Sequence, residues 1–283
     1  MPKVVLTLLA LLSLFLWSNP VLAVNLSNAT LETPGTQRTL VLPPSADNSP
    51  VISLGSAVDP QTGKVVEGYA IIHYKNSFTH KPNHNPGGPI ASSCYTYLSS
   101  GAKWKSIEPW IVNPANIRGL LGDFVFANIG ADIAKWEDAS DGVVGNSLGS
   151  NILGDGSSTT SALLADTSSP DGQNEVYFAD VSRSGVIAVT IVWGIFSGPP
   201  FARELVEWDQ VYDDVDFDWS SNGEAGKMDF ENIATHELGH SVGMGDLYDS
   251  VCSQETMYGF ANFGETKKQS LNTGDITGIN KLY

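Results

Sequence analysis

Positive charge is scarce in this chain. Its 283 residues hold 15 Lys and Arg against 31 Asp and Glu, which gives a formal net charge of −16 at pH 7. The sequence pI is near 4.5. This balance argues against nucleic acid and anionic membrane surfaces as partners, because both attract basic proteins. The acidity is compatible with calcium sites, a saline habitat or simple solubility.

Long apolar runs are confined to the N-terminus. Lys3 is followed by apolar residues 4–17 and by a small-residue cleavage site, Val21-Leu22-Ala23. This is the pattern of a secretory signal peptide over residues 1–23. The run is short for a membrane span, and no other stretch approaches that length. We therefore expect a secreted, extracellular protein with no stable membrane anchor after signal cleavage.

Cysteine is almost absent, since Cys94 and Cys252 are the two in the chain. In an exported protein, a single pair favours one disulfide. In the loop-entropy model, a Cys94–Cys252 bond would stabilise the fold by roughly 4–5 kcal/mol.

The most informative stretch is Thr235–Asp246, which contains the sequence His-Glu-x-x-His. On a helix this sequence is typical of zinc hydrolases. Apolar residues recur at every fourth position from 230 to 242, and Asp229 is a suitable N-cap, so a helix is expected. At about 100° per residue, His236 and His240 fall opposite the apolar ridge. Glu237 lies to one side of the metal position, as a general base must.

Two histidines leave a zinc site one ligand short. A helix that ends at Gly243 in a left-handed turn would bring Asp246 to the site. A carboxylate oxygen is an ordinary zinc ligand. The other usual third ligand is a Glu on a second helix, but the residue at the required spacing is Gly259. We therefore predict zinc on His236, His240 and Asp246, with the fourth position open and Glu237 as the catalytic base.

At this point the chain resembles a known family. The motif of residues 236–246 is similar to that of metzincin metalloproteases, with Asp246 replacing the usual third His, as in snapalysin-like members. Residues 255–259 resemble the metzincin Met-turn, with Met257 as its methionine. Residues 256–258 and 271–279 look like the C-terminal half of matrixins. The resemblance covers roughly residues 101–283.

The resemblance implies an α+β fold and a domain division. A twisted, mostly parallel sheet would lie over the zinc-binding helix, and a small C-terminal subdomain would hold the Met-turn and a final helix. Residues 24–100 would form an N-terminal extension or propeptide, and 101–283 the catalytic domain. A protein or peptide substrate would lie antiparallel along the sheet edge. The enzyme would be a monomeric zinc endopeptidase.

Matrixin latency suggests a second role for one cysteine. Cys94 could block the zinc as a free thiol, but the Pro-Arg-Cys-Gly pattern is missing around it. The disulfide is the preferred hypothesis.

Calcium is a second candidate cofactor. Arg203–Trp219 has the pattern of a long strand, and at its end Asp214, Asp216 and Asp218 alternate with apolar residues. Three carboxylates on one face repel each other unless they are solvated or hold a cation, and hard oxygen ligands suit calcium. A solvated edge is the alternative.

The N-terminal segment carries a third set of candidate ligands. His73, His80 and His84 surround a stretch rich in Pro, Asn and Gly. We interpret this set as part of a solvated loop rather than a second metal site. Residues 68–74 have the composition of a β-strand.

Two other functions compete with the protease. Gly145-Asn146-Ser147-Leu148-Gly149 matches the serine-hydrolase elbow, which requires a strand before it and a helix after it. Ser, Gly and Asn follow instead, so Ser147 is interpreted as a chance match. A secreted zinc-binding module without turnover is the other alternative, although structural zinc sites usually close the fourth position with Cys or His.

Overall fold

The computed structural model of the chain describes residues 38–44, 49–75 and 94–283. The described residues lie in one compact unit, Thr33–Tyr283. The predicted signal peptide, His80 and His84 lie outside the described residues. Within the described residues, no helix combines the length and the apolar character that crossing a membrane requires.

Three α-helices and eleven strands make up the described part. The helices are α1 (Gly122–Asp138), α2 (Phe230–Ser241) and α3 (Thr273–Leu282). The strands are β1 (Thr39–Leu40), β2 (Val51–Val58), β3 (Val65–Lys75), β4 (Trp110–Asn113), β5 (Gly156–Ser158), β6 (Asn174–Val181), β7 (Val186–Ile195), β8 (Glu204–Asp213), β9 (Trp219–Ser220), β10 (Met228–Asp229) and β11 (Phe260–Ala261).

Nine of these strands form one mixed sheet in the order β11-β3-β7-β8-β6-β4-β5, with β1 beside β6 and β2 beside β3. The pairs β1–β6, β4–β5, β4–β6, β6–β8 and β3–β11 are parallel. The pairs β2–β3, β3–β7 and β7–β8 are antiparallel. Five of the eight pairings in this sheet are parallel, so the expected α+β fold is confirmed in outline, with a sheet that is mixed.

The two faces of the sheet bury separate cores. One face packs on the helices through residues such as Ile71, Val192 and Phe230. The opposite face buries Ala70, Ile72 and Trp193 among others. Alternate residues of a strand point to opposite faces, so β3 contributes to both cores.

Three expected element boundaries are wrong. The strand predicted over 203–219 ends at Asp213, because the Asp213 carboxylate accepts the amides of Val215 and Asp216 and turns the chain. The pattern of residues 103–112 predicts a first strand over that whole range, but β4 covers only Trp110–Asn113. The spacing of apolar residues predicts a helix over residues 124–139 with Asp123 as its N-cap, but α1 begins at Gly122, after Leu121, which provides no side-chain cap.

The segment assigned to an extension or propeptide contributes to the sheet. Strands β2 and β3 both lie between residues 24 and 100, and β3 pairs with β7 over Glu67–Tyr74. The division of the chain at residue 100 stays a prediction, but the fold does not separate its two sides into different sheets.

One disulfide joins Cys94 to Cys252, whose Cα atoms are 5.4 Å apart. The preferred hypothesis for the cysteines is confirmed. The alternative, in which Cys94 is a free zinc-blocking thiol, is wrong because neither cysteine is free.

Candidate metal centre

Helix α2 carries the site, and its boundaries follow from its sequence. The Asp229 side chain accepts the amide of Asn232 at 2.9 Å, as an N-cap does. The predicted apolar ridge of the helix is fully buried; its members are Phe230, Ala234, Leu238 and Val242. Gly243 follows the helix with φ at 101°, a left-handed conformation that favours glycine.

The turn at Gly243 returns the chain towards the two histidines. Asp246 Oδ1 lies 3.2 Å from His236 Nε2 and 3.5 Å from His240 Nε2. All three atoms are buried, and none has a hydrogen-bond partner. Buried polar atoms are normally paired. Two imidazole nitrogens and a carboxylate oxygen within 4.8 Å of one another form a donor set that fits zinc.

Contacts behind the ligands orient them. His236 Nδ1 lies 2.7 Å from the Thr256 carbonyl, and His240 Nδ1 lies 3.0 Å from the Met244 carbonyl. A carbonyl can only accept, so each Nδ1 carries the proton and each Nε2 keeps its lone pair for a metal. Tyr248 donates its hydroxyl to Asp246 Oδ2 at 2.7 Å.

Burial and neighbouring charges set the charge state of the candidate ligands. It lowers the pKa of His236 to about 3, and the nearby Lys268 adds to the effect. Burial alone would raise the pKa of Asp246, but His240 and His236 hold that pKa well below its usual range. A neutral imidazole and an ionised carboxylate are the forms that bind a metal.

Glu237 lies beside this donor set and is completely buried. Its Oε1 lies 2.8 Å from His73 Nδ1, and its Oε2 accepts the Thr190 hydroxyl at 2.6 Å. Burial raises the pKa of Glu237 to about 7, while nearby His240 and the Thr190 hydrogen bond lower it. A carboxyl with a pKa near neutrality is suited to general acid–base chemistry.

His73 and Lys268 join the site without having been predicted there. The His73 ring lies 4.1 Å from the His236 ring. His73 is buried on β3 rather than in a solvated loop, so that interpretation is wrong for this histidine. The strand pattern of residues 68–74 was the available signal for its burial.

Lys268 lies beside His73, and its side chain is completely buried. Its Nζ is 3.3 Å from His73 Nε2, and it donates to the Tyr258 carbonyl. An ammonium can only donate, so His73 Nε2 accepts and His73 Nδ1 is the nitrogen that donates to Glu237. Burial lowers the pKa of Lys268 to about 8. Nothing in the sequence near Lys268 indicated this position.

Met257 packs against helix α2 at Gly239. It is fully buried, and a Cβ at Gly239 would lie 2.1 Å from its sulfur. Glycine at this helix position therefore allows the methionine to approach. The Met-turn itself stays a prediction.

The predicted calcium ligands have separate partners. Asp214 Oδ2 accepts the Ile117 amide at 2.8 Å, and Asp218 pairs with Arg118 at 2.9 Å. Asp214, Asp216 and Asp218 are not among the metal-competent groups of the described residues. A different acidic group could hold a metal ion. Its members are Asp166, Glu207 and Asp209.

Ser147 lies on the exposed surface of a loop. No strand precedes it and no helix follows it within this described loop. Its backbone instead forms a turn in which its amide donates to Asp138. The geometry that a serine-hydrolase elbow requires is therefore missing around Ser147.

Comparison with known proteins gives matches to part of the chain. The sequence model of the family Peptidase_M10, matrixin, matches residues 200–283. Matrilysin of Homo sapiens is 40% identical over 70 residues, and matrilysin of Rattus norvegicus is 43% identical over 70 residues. Each match spans 25% of this chain and 25% of the relative.

Proposed function

Because the chain is matrixin-like in its C-terminal part, residues 200–283, we propose that it is a zinc-dependent endopeptidase. One observation carries the proposal: the unpaired Nε2 atoms of His236 and His240 meet the unpaired Oδ1 of Asp246. His236, His240 and Asp246 would hold the metal. When bound, zinc supplies Lewis acidity that lowers the pKa of a water towards ~7 and polarises the scissile carbonyl.

The protein supplies the proton transfers. Glu237 accepts the proton of the attacking water and then passes it to the leaving amine. Its pKa of about 7 supports both roles near neutral pH. Thr190 donates to Oε2 and so fixes the carboxylate relative to β7. Thr256 and Met244 keep the two imidazoles in the ligating tautomer.

The substrate class and the site of action are also proposals. A protein or peptide is the substrate that a matrixin-like centre implies. Export follows from the signal-peptide pattern of residues 1–23. Calcium would be a second, stabilising cofactor, and a melting-temperature rise on calcium addition tests it. Substituting Asp216 and, separately, Asp209 by Asn would show which acidic group is responsible.

A non-catalytic zinc-binding module is the second candidate function. The observation that favours it is that both carboxylate oxygens of Glu237 already have hydrogen-bond partners, His73 and Thr190. Glu237 is then not free to accept a proton from water.

The test is digestion of casein with and without a chelator, combined with zinc analysis of the purified protein. The endopeptidase should bind one zinc per chain and cleave casein only when zinc is present. Cleavage that survives the chelator would refute a zinc mechanism. Bound zinc without cleavage would favour the non-catalytic module.

A further inference from the structure

Residues 243–246, called the ligand turn from here on, make two contacts at the metal centre. Asp246, at the end of the turn, supplies the carboxylate oxygen that lies 3.2 Å from His236 Nε2. The Met244 carbonyl, within the turn, accepts a hydrogen bond from His240 Nδ1 at 3.0 Å. The position of the ligand turn therefore decides where the third donor atom lies and how one imidazole is oriented.

A short segment from an earlier part of the chain, residues 94–98, pairs with the ligand turn. The Gly245 amide donates to the Thr96 carbonyl at 2.9 Å. The Leu98 amide donates to the Gly243 carbonyl at 3.0 Å. Two backbone hydrogen bonds from this segment therefore hold the ligand turn within three consecutive residues of it.

The segment also packs closely on the turn. Tyr97 lies opposite Met244 in an antiparallel bridge, and the Tyr97 hydroxyl donates to the Gly278 carbonyl of α3 at 2.9 Å. A Cβ at Gly245 would lie 3.1 Å from atoms of Thr96 and Tyr97. The segment therefore contacts the ligand turn on one side and α3 on another.

The disulfide holds the first residue of this segment. Cys94 is bonded to Cys252, which follows the ligand turn in the chain and ends the short helix Ser250–Cys252. The bond therefore ties the start of the segment to the stretch of chain just beyond Asp246. While the bond is intact, the segment and the ligand turn cannot separate at this end.

We propose that residues 94–98 position the third zinc ligand, Asp246, and that the Cys94–Cys252 disulfide keeps them in place, so that zinc binds with full affinity only to the oxidised protein. The proposal rests on the zinc centre of the proposed endopeptidase. The bond forms when the two thiols pass two electrons and two protons to a disulfide oxidant of an oxidising compartment. Full zinc affinity is thereby coupled to oxidation of the two cysteines.

The test measures zinc affinity in the full-length chain by competition with a zinc-binding dye. Wild type is compared with the double variant Cys94→Ser/Cys252→Ser, because the free thiols of a reduced protein would bind zinc themselves. The comparison is repeated in the Asp246→Asn background, and near-ultraviolet circular dichroism checks that each protein is folded. We expect the serine pair to weaken zinc binding about tenfold when Asp246 is present. With Asp246→Asn the further loss should be less than about threefold, because the ligand that the segment positions is already missing.

Two single variants separate positioning from stability. Val181→Ala is the control for lost stability: it removes two methyl groups from the core on the opposite face of the sheet and should leave zinc affinity within about twofold of wild type. Gly245→Ala keeps the disulfide but places a Cβ 3.1 Å from atoms of Thr96 and Tyr97. It should push the segment away from the ligand turn and weaken zinc binding several-fold.

Three results would overturn the inference. An equal loss of zinc affinity with and without the Asp246 carboxylate would show that the disulfide acts through stability alone. Wild-type zinc affinity in the folded serine pair would show that the bond has no effect on the site. If the serine pair does not fold, Gly245→Ala decides, and unchanged zinc affinity in that variant contradicts the proposal. None of these measurements needs turnover, so a zinc-loaded protein that does not cleave casein refutes the endopeptidase function alone.

Discussion

His73 Nδ1 lies 2.8 Å from Glu237 Oε1, although 164 residues separate the two in sequence. The contact joins the N-terminal segment to helix α2, which carries two of the three proposed metal ligands. It also sets the tautomer of His73, because Lys268 occupies the other side of the ring. The proposed base is therefore held by a strand of the same chain, and a buried lysine lies on the other side of that histidine.

That lysine should influence which peptides are cut. Cleavage of a peptide library should favour a substrate side chain that accepts a hydrogen bond near Lys268. Lys268→Met should abolish this preference, because a thioether cannot donate. Lys267→Met is the matched control, since Lys267 pairs with Glu265. An unchanged cleavage profile in Lys268→Met would show that Lys268 does not contact the substrate.

The third ligand can be tested through zinc affinity. Asp246→Asn should weaken zinc binding by at least about 10–100-fold, the range that contacts behind a ligand alone produce. Asp246→His should retain zinc, because imidazole is an equally good ligand. Competition with a zinc-binding dye measures both. Asp249→Asn, three residues further along on the exposed surface, is the control. Wild-type affinity in Asp246→Asn would show that the carboxylate does not bind the metal.

The disulfide should be a major source of stability. Replacing Cys94 and Cys252 together by Ser should lower the unfolding free energy by about 5 kcal/mol, since the bond closes a loop with a sequence separation of 158 residues. Urea denaturation of the variant and of wild type measures the difference. If the denaturation curves of the variant and of wild type coincide, the disulfide does not constrain the unfolded chain.

Asp132 should make stability fall at higher pH. Burial raises the pKa of Asp132 to about 7, although the Lys135 ammonium lowers it. The folded state therefore keeps a proton that the unfolded chain loses near pH 3.9. The stabilising contribution is complete below that pH and is lost as pH rises through about 7.

Asp132→Asn should accordingly show a smaller loss of unfolding free energy between pH 4 and pH 8 than wild type does. Urea denaturation at a series of pH values measures this. Asp123→Asn, on the exposed surface of the same helix, should keep the wild-type pH dependence. An identical slope in Asp132→Asn and wild type would contradict the assignment.

The sequence was sufficient to predict those parts of the site that depend on local spacing. Helix α2 follows from the apolar ridge and from Asp229, whose cap is seen at Asn232. Gly243 adopts the left-handed conformation that the motif requires. The contact of Asp246 with both histidines follows from that turn.

Long-range contacts were beyond this kind of prediction. His73 and Lys268 lie 195 residues apart in sequence, and no spacing rule links them. The end of β8 was also missed, because alternation continues through residue 219 although the Asp213 carboxylate turns the backbone earlier. A single side chain that accepts backbone amides in a turn adds no repeating pattern to the sequence, so sequence periodicity cannot reveal it.

The most direct test of the metalloprotease account compares wild type with Glu237→Gln. Zinc content and casein cleavage are measured on the same samples, with Glu231→Gln, a partly exposed glutamate of the same helix, as the control. We predict one zinc per chain in all proteins and a cleavage rate reduced about 10²–10⁴-fold by Glu237→Gln alone. Zinc retention with an unchanged cleavage rate in Glu237→Gln would contradict the account.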